Sequence, residues 1–65
     1  MDDAERLVRF EAVLAELLSE QAMVTEALEP LRAAGKVRTA TYQQLTARKL
    51  ALKSTLALFE EQGLV

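Results

Sequence analysis

The sequence predicts an all-α fold, an antiparallel two-helix hairpin of coiled-coil type that completes its core by homo- or hetero-association. Apolar residues recur at alternating spacings of three and four in both halves of the chain, which is the period of an amphipathic helix. A short segment containing Gly35 separates the halves, and short connections favour antiparallel neighbours. Each half also carries a second apolar row, and a hairpin buries only one row per helix.

The larger apolar residues form what we call the first stripe, which Gln21 interrupts in one half and Lys49 in the other. Smaller residues form the second stripe. The first stripe comprises Leu7, Phe10, Leu14, Leu17, Val24, Leu28, Leu31, Tyr42, Leu45, Leu52, Leu56 and Phe59. The second comprises Val8, Ala12, Ala15, Ser19, Ala22, Ala47, Leu50, Ala51, Ser54, Ala57 and Leu58. We expect the first stripe to face inward because it buries more area, although the two stripes could be exchanged.

Helix one is predicted over about residues 3–34, because Asp2 and Asp3 suit a helix N-terminus and the helical period begins at Ala4. Pro30 lacks the N–H that would bond to the carbonyl of Glu26, so the helix either stops near residue 29 or kinks. We expect the kink, because the apolar period continues beyond the proline.

The turn is predicted over residues 35–41 and helix two over about residues 42–62. Gly35 and Gly63 suit the left-handed position that ends a helix. Thr41 with Gln44 has the spacing of a capping box, and Thr39 is the rival N-cap. Because helix one is the longer, we expect its first one or two turns to extend beyond helix two.

The 65 residues make a single domain, residues 1–65, and chains of this size are marginally stable alone. The chain contains no Cys and no His, so disulfides and the common soft-metal sites are excluded. We therefore expect the missing stability to come from association. We identify no signal peptide, and no apolar run exceeds four residues, so we expect a soluble cytoplasmic protein with no membrane partner.

Charge is divided unevenly between the halves, with a net −5 over residues 1–34 and +3 over residues 35–65. Two adjacent helices that attract each other explain this division. A basic face for nucleic acid is the alternative, but five cations without interleaved aromatic residues make a poor phosphate track. We expect no nucleic-acid partner.

The chain lacks the residue types of most catalytic sites. Catalysis by His or Cys is excluded, and no Gly-rich loop is present to bind phosphate. Glu16 and Glu20 share a helix face, but such pairs are usually solvated. We expect no enzyme, no cofactor, no metal site and no small-molecule substrate.

The second stripe is instead the predicted partner-binding surface, since apolar residues exposed together mark interaction sites. Met23 lies beside it and is an adaptable contact. The predicted partner-binding residues are Val8, Ala12, Ala15, Ser19, Ala22, Met23, Ala47, Leu50, Ala51, Ala57 and Leu58.

Residues 35–58 contain an ordered set of features: Gly35 in the turn, then Tyr42-Gln43 with Leu45, Ala51-Leu52, and finally Leu56 and Leu58. Their order and spacing resemble the small helical-hairpin co-chaperones of bacterial type III secretion systems, the partners of the needle-subunit chaperone. Helix one is similar only in character, and Pro30 departs from the family's pattern.

The resemblance implies a cytoplasmic virulence-associated protein of a Gram-negative bacterium. With a helical-repeat chaperone it would keep the needle subunit soluble and unpolymerised before export. The alternative is a self-associating hairpin, two copies of which form a four-helix bundle that acts as an adaptor or regulator. The residues alone leave homo- and hetero-association open.

Overall fold

A computed structural model describes all 65 residues and contains two α-helices and no strands. Helix α1 spans Asp3–Ala33 and helix α2 spans Ala40–Glu61, and they pack against each other as a hairpin. The predicted all-α hairpin is therefore confirmed. The molecule is elongated, with principal extents of 49 × 19 × 15 Å.

Helix α1 begins with a side-chain cap. The Oδ1 atom of Asp2 accepts a hydrogen bond of 2.7 Å from the backbone N–H of Glu5, which satisfies one of the free N–H groups of the first turn. Asp3 and Glu5 add negative charge at the positive end of the helix dipole. The sequence pattern that predicted this start thus corresponds to an observed cap.

Helix α1 continues through Pro30 and ends at Ala33. The helix therefore continues past the proline, as expected, and the alternative of a stop near residue 29 is excluded. Gly35, with φ of 72°, then closes the helix: its N–H donates to the carbonyl of Arg32, and the N–H of Lys36 donates to that of Leu31. This bond pattern is the Schellman motif, which pairs carbonyls that the helix end would leave free.

Helix α2 begins at Ala40, two residues before the predicted start, so the turn is shorter than the predicted 35–41. The N-cap is Thr39 and not Thr41. The Thr39 hydroxyl accepts from the Tyr42 N–H at 3.2 Å and donates to the Lys36 carbonyl at 2.9 Å. Because this one hydroxyl bonds to both the helix and the turn, the earlier position is favoured.

The same closing motif ends helix α2. Gly63 has φ of 71°, its N–H donates to the carbonyl of Glu60, and the N–H of Leu64 donates to that of Phe59. Both glycines of the chain therefore act as helix terminators, as the sequence predicted.

The first stripe lies between the helices. Val24, Leu28 and Leu52 form the central cluster, and three half-buried residues pack against it. Leu14 and Leu56 are also buried, and no other residue of the chain is. The half-buried neighbours of the cluster are Leu17, Tyr42 and Leu45.

The two polar residues that interrupt the first stripe, Gln21 and Lys49, are half-buried. Neither side chain makes a hydrogen bond to the other helix, and the only interhelical side-chain hydrogen bonds join Glu20 to Arg48. Gln21 and Lys49 lie at the edge of the first stripe, where a straight helix drifts away from its partner.

Helix α1 extends beyond helix α2 at the open end of the hairpin. Every residue from 1 to 13 is exposed, including Leu7 of the first stripe. Phe10 marks the boundary of the overhang, since its ring lies 5.5 Å from that of Phe59. The first two turns of the helix, residues 3–9, thus have no partner within the hairpin, as expected.

Candidate protein-binding surfaces

The predicted partner-binding residues lie almost entirely on the surface. Ten of the eleven are exposed, and the exception is Ala57, which is half-buried. Val8, Met23, Leu50 and Leu58 are the largest of the ten, and each is more than half exposed. The exposed residues are Val8, Ala12, Ala15, Ser19, Ala22, Met23, Ala47, Leu50, Ala51 and Leu58.

These residues form two separate surfaces. At 3.6 residues per turn, the second stripe of each helix lies about half a turn away from the buried stripe of that helix. We call these surfaces the α1 outer face and the α2 outer face. The first stripes of the two helices face each other, so the two outer faces point in opposite directions. A single flat partner covers only one of them.

A third surface, which the sequence pattern did not identify, is a groove along one side of the hairpin between α1 and α2. Its volume is about 400 Å³. We call it the lateral groove. It is lined by Leu18, Gln21, Lys49, Lys53, Leu56, Ala57, Glu60 and Val65.

Ala57 belongs to the lateral groove and not to the α2 outer face. On a helical wheel it lies on the same side as Lys53, which is four residues earlier and also lines the groove. Ala57 is half-buried, whereas Leu50 and Leu58 are exposed. Sequence spacing did not separate these positions, because an alanine on the groove side and one on the outer face fit the same row. Leu18, which is 42 % exposed in the groove, fits neither stripe.

A smaller apolar depression of about 230 Å³ lies at the open end of the hairpin. Its lining includes Phe10, Leu58 and Phe59, together with Leu64 from the segment that follows α2. Leu58 thus connects this depression to the α2 outer face.

One ion pair joins the helices. Arg48 donates two hydrogen bonds to the Glu20 carboxylate, from Nε at 2.7 Å and from its terminal nitrogen at 2.8 Å. The hydrogen bonds from Arg48 lower the pKa of Glu20, and the same pairing raises the pKa of Arg48. Both side chains remain about half exposed, so the pair is a surface contact.

The remaining charges have no ion-pair partner within 4.0 Å, because Glu20–Arg48 is the only salt bridge of the structure. The expected attraction between an acidic and a basic half therefore produces one direct contact. Lys49 and Lys53 of helix α2 remain free beside the lateral groove.

No three His, Cys, Asp or Glu side chains come together in a way that would hold a metal ion. Neither helix combines the length and apolar character that a bilayer crossing requires. The chain matches no family model, no curated protein and no solved structure at a significant level.

Proposed function

We propose that this chain is a non-catalytic protein-binding subunit whose hairpin is completed by a helical partner. The observation that supports the proposal is its exposed area of 5093 Å². A compact monomer of 7.2 kDa is expected to expose about 4,100 Å². The excess of about 1,000 Å² is close to the roughly 800 Å² that each partner buries in an interface of standard size.

In its finer form, the proposal is that the chain is a cytoplasmic co-chaperone of a type III secretion system. It would bind a helical-repeat chaperone, and the pair would hold the needle subunit unpolymerised before export. The resemblance of residues 35–58 supports this form. Exposed apolar residues on the two outer faces fit a partner that wraps around the hairpin with several helices, as a helical-repeat protein does.

Self-association is the second candidate, in which two copies form a four-helix bundle that acts as an adaptor or regulator. It is favoured by the charge distribution, because helices of opposite charge share only one ion pair within the hairpin. The other charges are therefore free to pair between copies.

Sedimentation equilibrium of the isolated chain over a wide concentration range separates the two candidates. A hetero-complex subunit is expected to sediment as a monomer or an ill-defined mixture, and to gain thermal stability when its partner is added. A dedicated homodimer is expected to remain dimeric at low micromolar concentration and to melt at a temperature that rises with its own concentration.

The co-chaperone form is then tested by co-expressing the chain with a helical-repeat needle chaperone and its needle subunit. We expect a stable complex in which the needle subunit stays unpolymerised. A chain that fails to co-purify with this chaperone, and is a stable dimer alone, contradicts the co-chaperone form and supports the bundle.

A further inference from the structure

The lateral groove combines an apolar floor with two lysines that have no ion-pair partner. Leu18, Leu56 and Ala57 provide the floor, while Lys49 and Lys53 stand on the α2 side. No carboxylate lies within 4.0 Å of either lysine, because the one salt bridge uses Arg48. Lys53 is exposed and Lys49 is half-buried.

The dimensions of the groove match a helix. From Lys49 to Glu60 the α2 side of the groove rises about 16 Å, which is three helical turns. A groove between two antiparallel helices accepts the side chains of a third helix, as in small helical bundles. The two lysines are four residues apart, so they stand one turn, or about 6 Å, apart along α2.

We propose that the lateral groove binds an amphipathic helix of the partner protein that carries two carboxylates one turn apart. The carboxylates pair with Lys49 and Lys53, and the apolar face of that helix covers Leu18 and Ala57. This inference rests on the proposed protein-binding function and adds the chemical class of the partner segment.

Charge complementarity selects this occupant. An acidic helix gains two ion pairs at the edge of an apolar contact, where opposite charges give specificity and faster association. A nucleic-acid strand gains less, because the groove supplies two cations and no aromatic ring for a base to stack on. Glu60, at the far end of the groove, repels a phosphate chain that continues along it.

The test uses the full chain and a stapled, fluorescein-labelled helical peptide of about 15 residues, long enough to hold a helix. The peptide carries Leu and Ala on one face and two Glu residues at positions i and i+4 on its edge, and a matched peptide carries Gln there. Fluorescence anisotropy gives the Kd of each peptide. We expect the Glu peptide to bind at least about tenfold more tightly than the Gln peptide, and to lose that advantage in about 0.5 M NaCl.

Charge reversal locates the contact. We expect Lys53→Glu to weaken binding of the Glu peptide at least about tenfold, because repulsion replaces an ion pair. Lys36→Glu makes the same change of charge in the turn, away from the groove. We expect it to change the Kd by less than about twofold, because salt screens long-range electrostatic interactions. Lys53 is exposed, so the fold should survive; if circular dichroism shows otherwise, Lys53→Gln replaces it.

The outcomes that overturn the inference are distinct. Equal losses from Lys53→Glu and Lys36→Glu indicate attraction to net charge alone. Displacement of the peptide by a single-stranded RNA oligonucleotide indicates a phosphate site. If peptide-induced NMR shifts fall on Ala15 and Leu50 and spare Leu18 and Ala57, the protein-binding function stands and the groove assignment fails. If the Glu peptide causes no shift anywhere, the groove assignment fails, and the co-purification experiment alone decides the proposed function.

Discussion

Two leucines, two residues apart on helix α2, have opposite environments. Leu52 is 2 % exposed and contacts the central cluster, whereas Leu50 is 60 % exposed on the outer face. The hairpin buries only five residues, so each of them carries a large share of its stability. The assignment of the first stripe to the core and the second to the surface can therefore be tested at single positions such as Leu52 and Leu50.

We expect Leu52→Asp to unfold the hairpin, because it places an unpaired carboxylate among Val24 and Leu28. Leu50→Glu is the matched control, and at an exposed site its effect on folding is expected to stay within about 0.5 kcal/mol. Far-UV circular dichroism and thermal melting of both variants provide the measurement. A folded Leu52→Asp variant would mean that the first stripe is not the core.

The Glu20–Arg48 pair makes a prediction for acid conditions. Because Arg48 lowers the pKa of Glu20 in the folded state, ionised Glu20 favours folding. This contribution is complete above the ordinary glutamate value of 4.5 and is lost as the pH falls through the lower folded-state pKa.

We therefore expect Glu20→Gln to reduce the fall in melting temperature when the pH is lowered from about 5 to about 3. Glu16→Gln, one turn earlier on α1 and outside any ion pair, should keep the wild-type dependence. Scanning calorimetry at a series of pH values measures the change of melting temperature with pH for both variants. An identical pH dependence of the two melting temperatures would show that the pair contributes nothing to stability.

At the scale of whole elements, the sequence predicted both helices, their order and the glycines that end them. The reason is physical: a helical apolar period and a Gly at the left-handed position are local properties that the chain displays directly. The start of helix α2 was predicted two residues late. Thr39 and Thr41 both suit an N-cap, and the choice depends on the Lys36 carbonyl, which only the folded turn brings to the Thr39 hydroxyl.

We expect Thr39→Ala to destabilise the hairpin by about 0.5–2 kcal/mol, the usual cost of losing an N-cap. The variant also loses the hydroxyl's bond to the Lys36 carbonyl, which ties the turn to the helix. Thr41→Ala removes the same atoms from an exposed position inside the helix, where alanine is the better helix former, and should be neutral or stabilising. Urea unfolding of both variants compares the two positions. A larger loss of stability for Thr41→Ala than for Thr39→Ala would indicate that Thr41 is the N-cap and that the helix starts later.

At the scale of the molecule, the surplus of apolar residues was visible in the sequence and the lateral groove was not. Two stripes per helix predicted that one would remain exposed, and ten of the eleven residues chosen are exposed. The lateral groove combines Leu18 and Gln21 of α1 with six residues between positions 49 and 65, and its shape depends on how the helices pack. No spacing along one helix reveals such a surface, which is why Leu18 and the position of Ala57 were missed.

The outer faces give the last prediction. We expect Ala15→Glu and Leu50→Glu to leave the hairpin folded, since both residues are exposed, and to block association, since each buries a carboxylate where a partner's apolar surface would pack. Each variant tests one outer face, because the two faces point in opposite directions. Sedimentation equilibrium of the isolated variants and their co-purification with the chaperone measure association, and circular dichroism confirms the fold.

Loss of association with one variant assigns the interface to that face, and loss with both indicates a partner that wraps around the hairpin. Association that survives both substitutions would leave the outer faces without a role, and the excess exposed surface would then have to be covered through the lateral groove, where Lys53→Glu is the decisive variant.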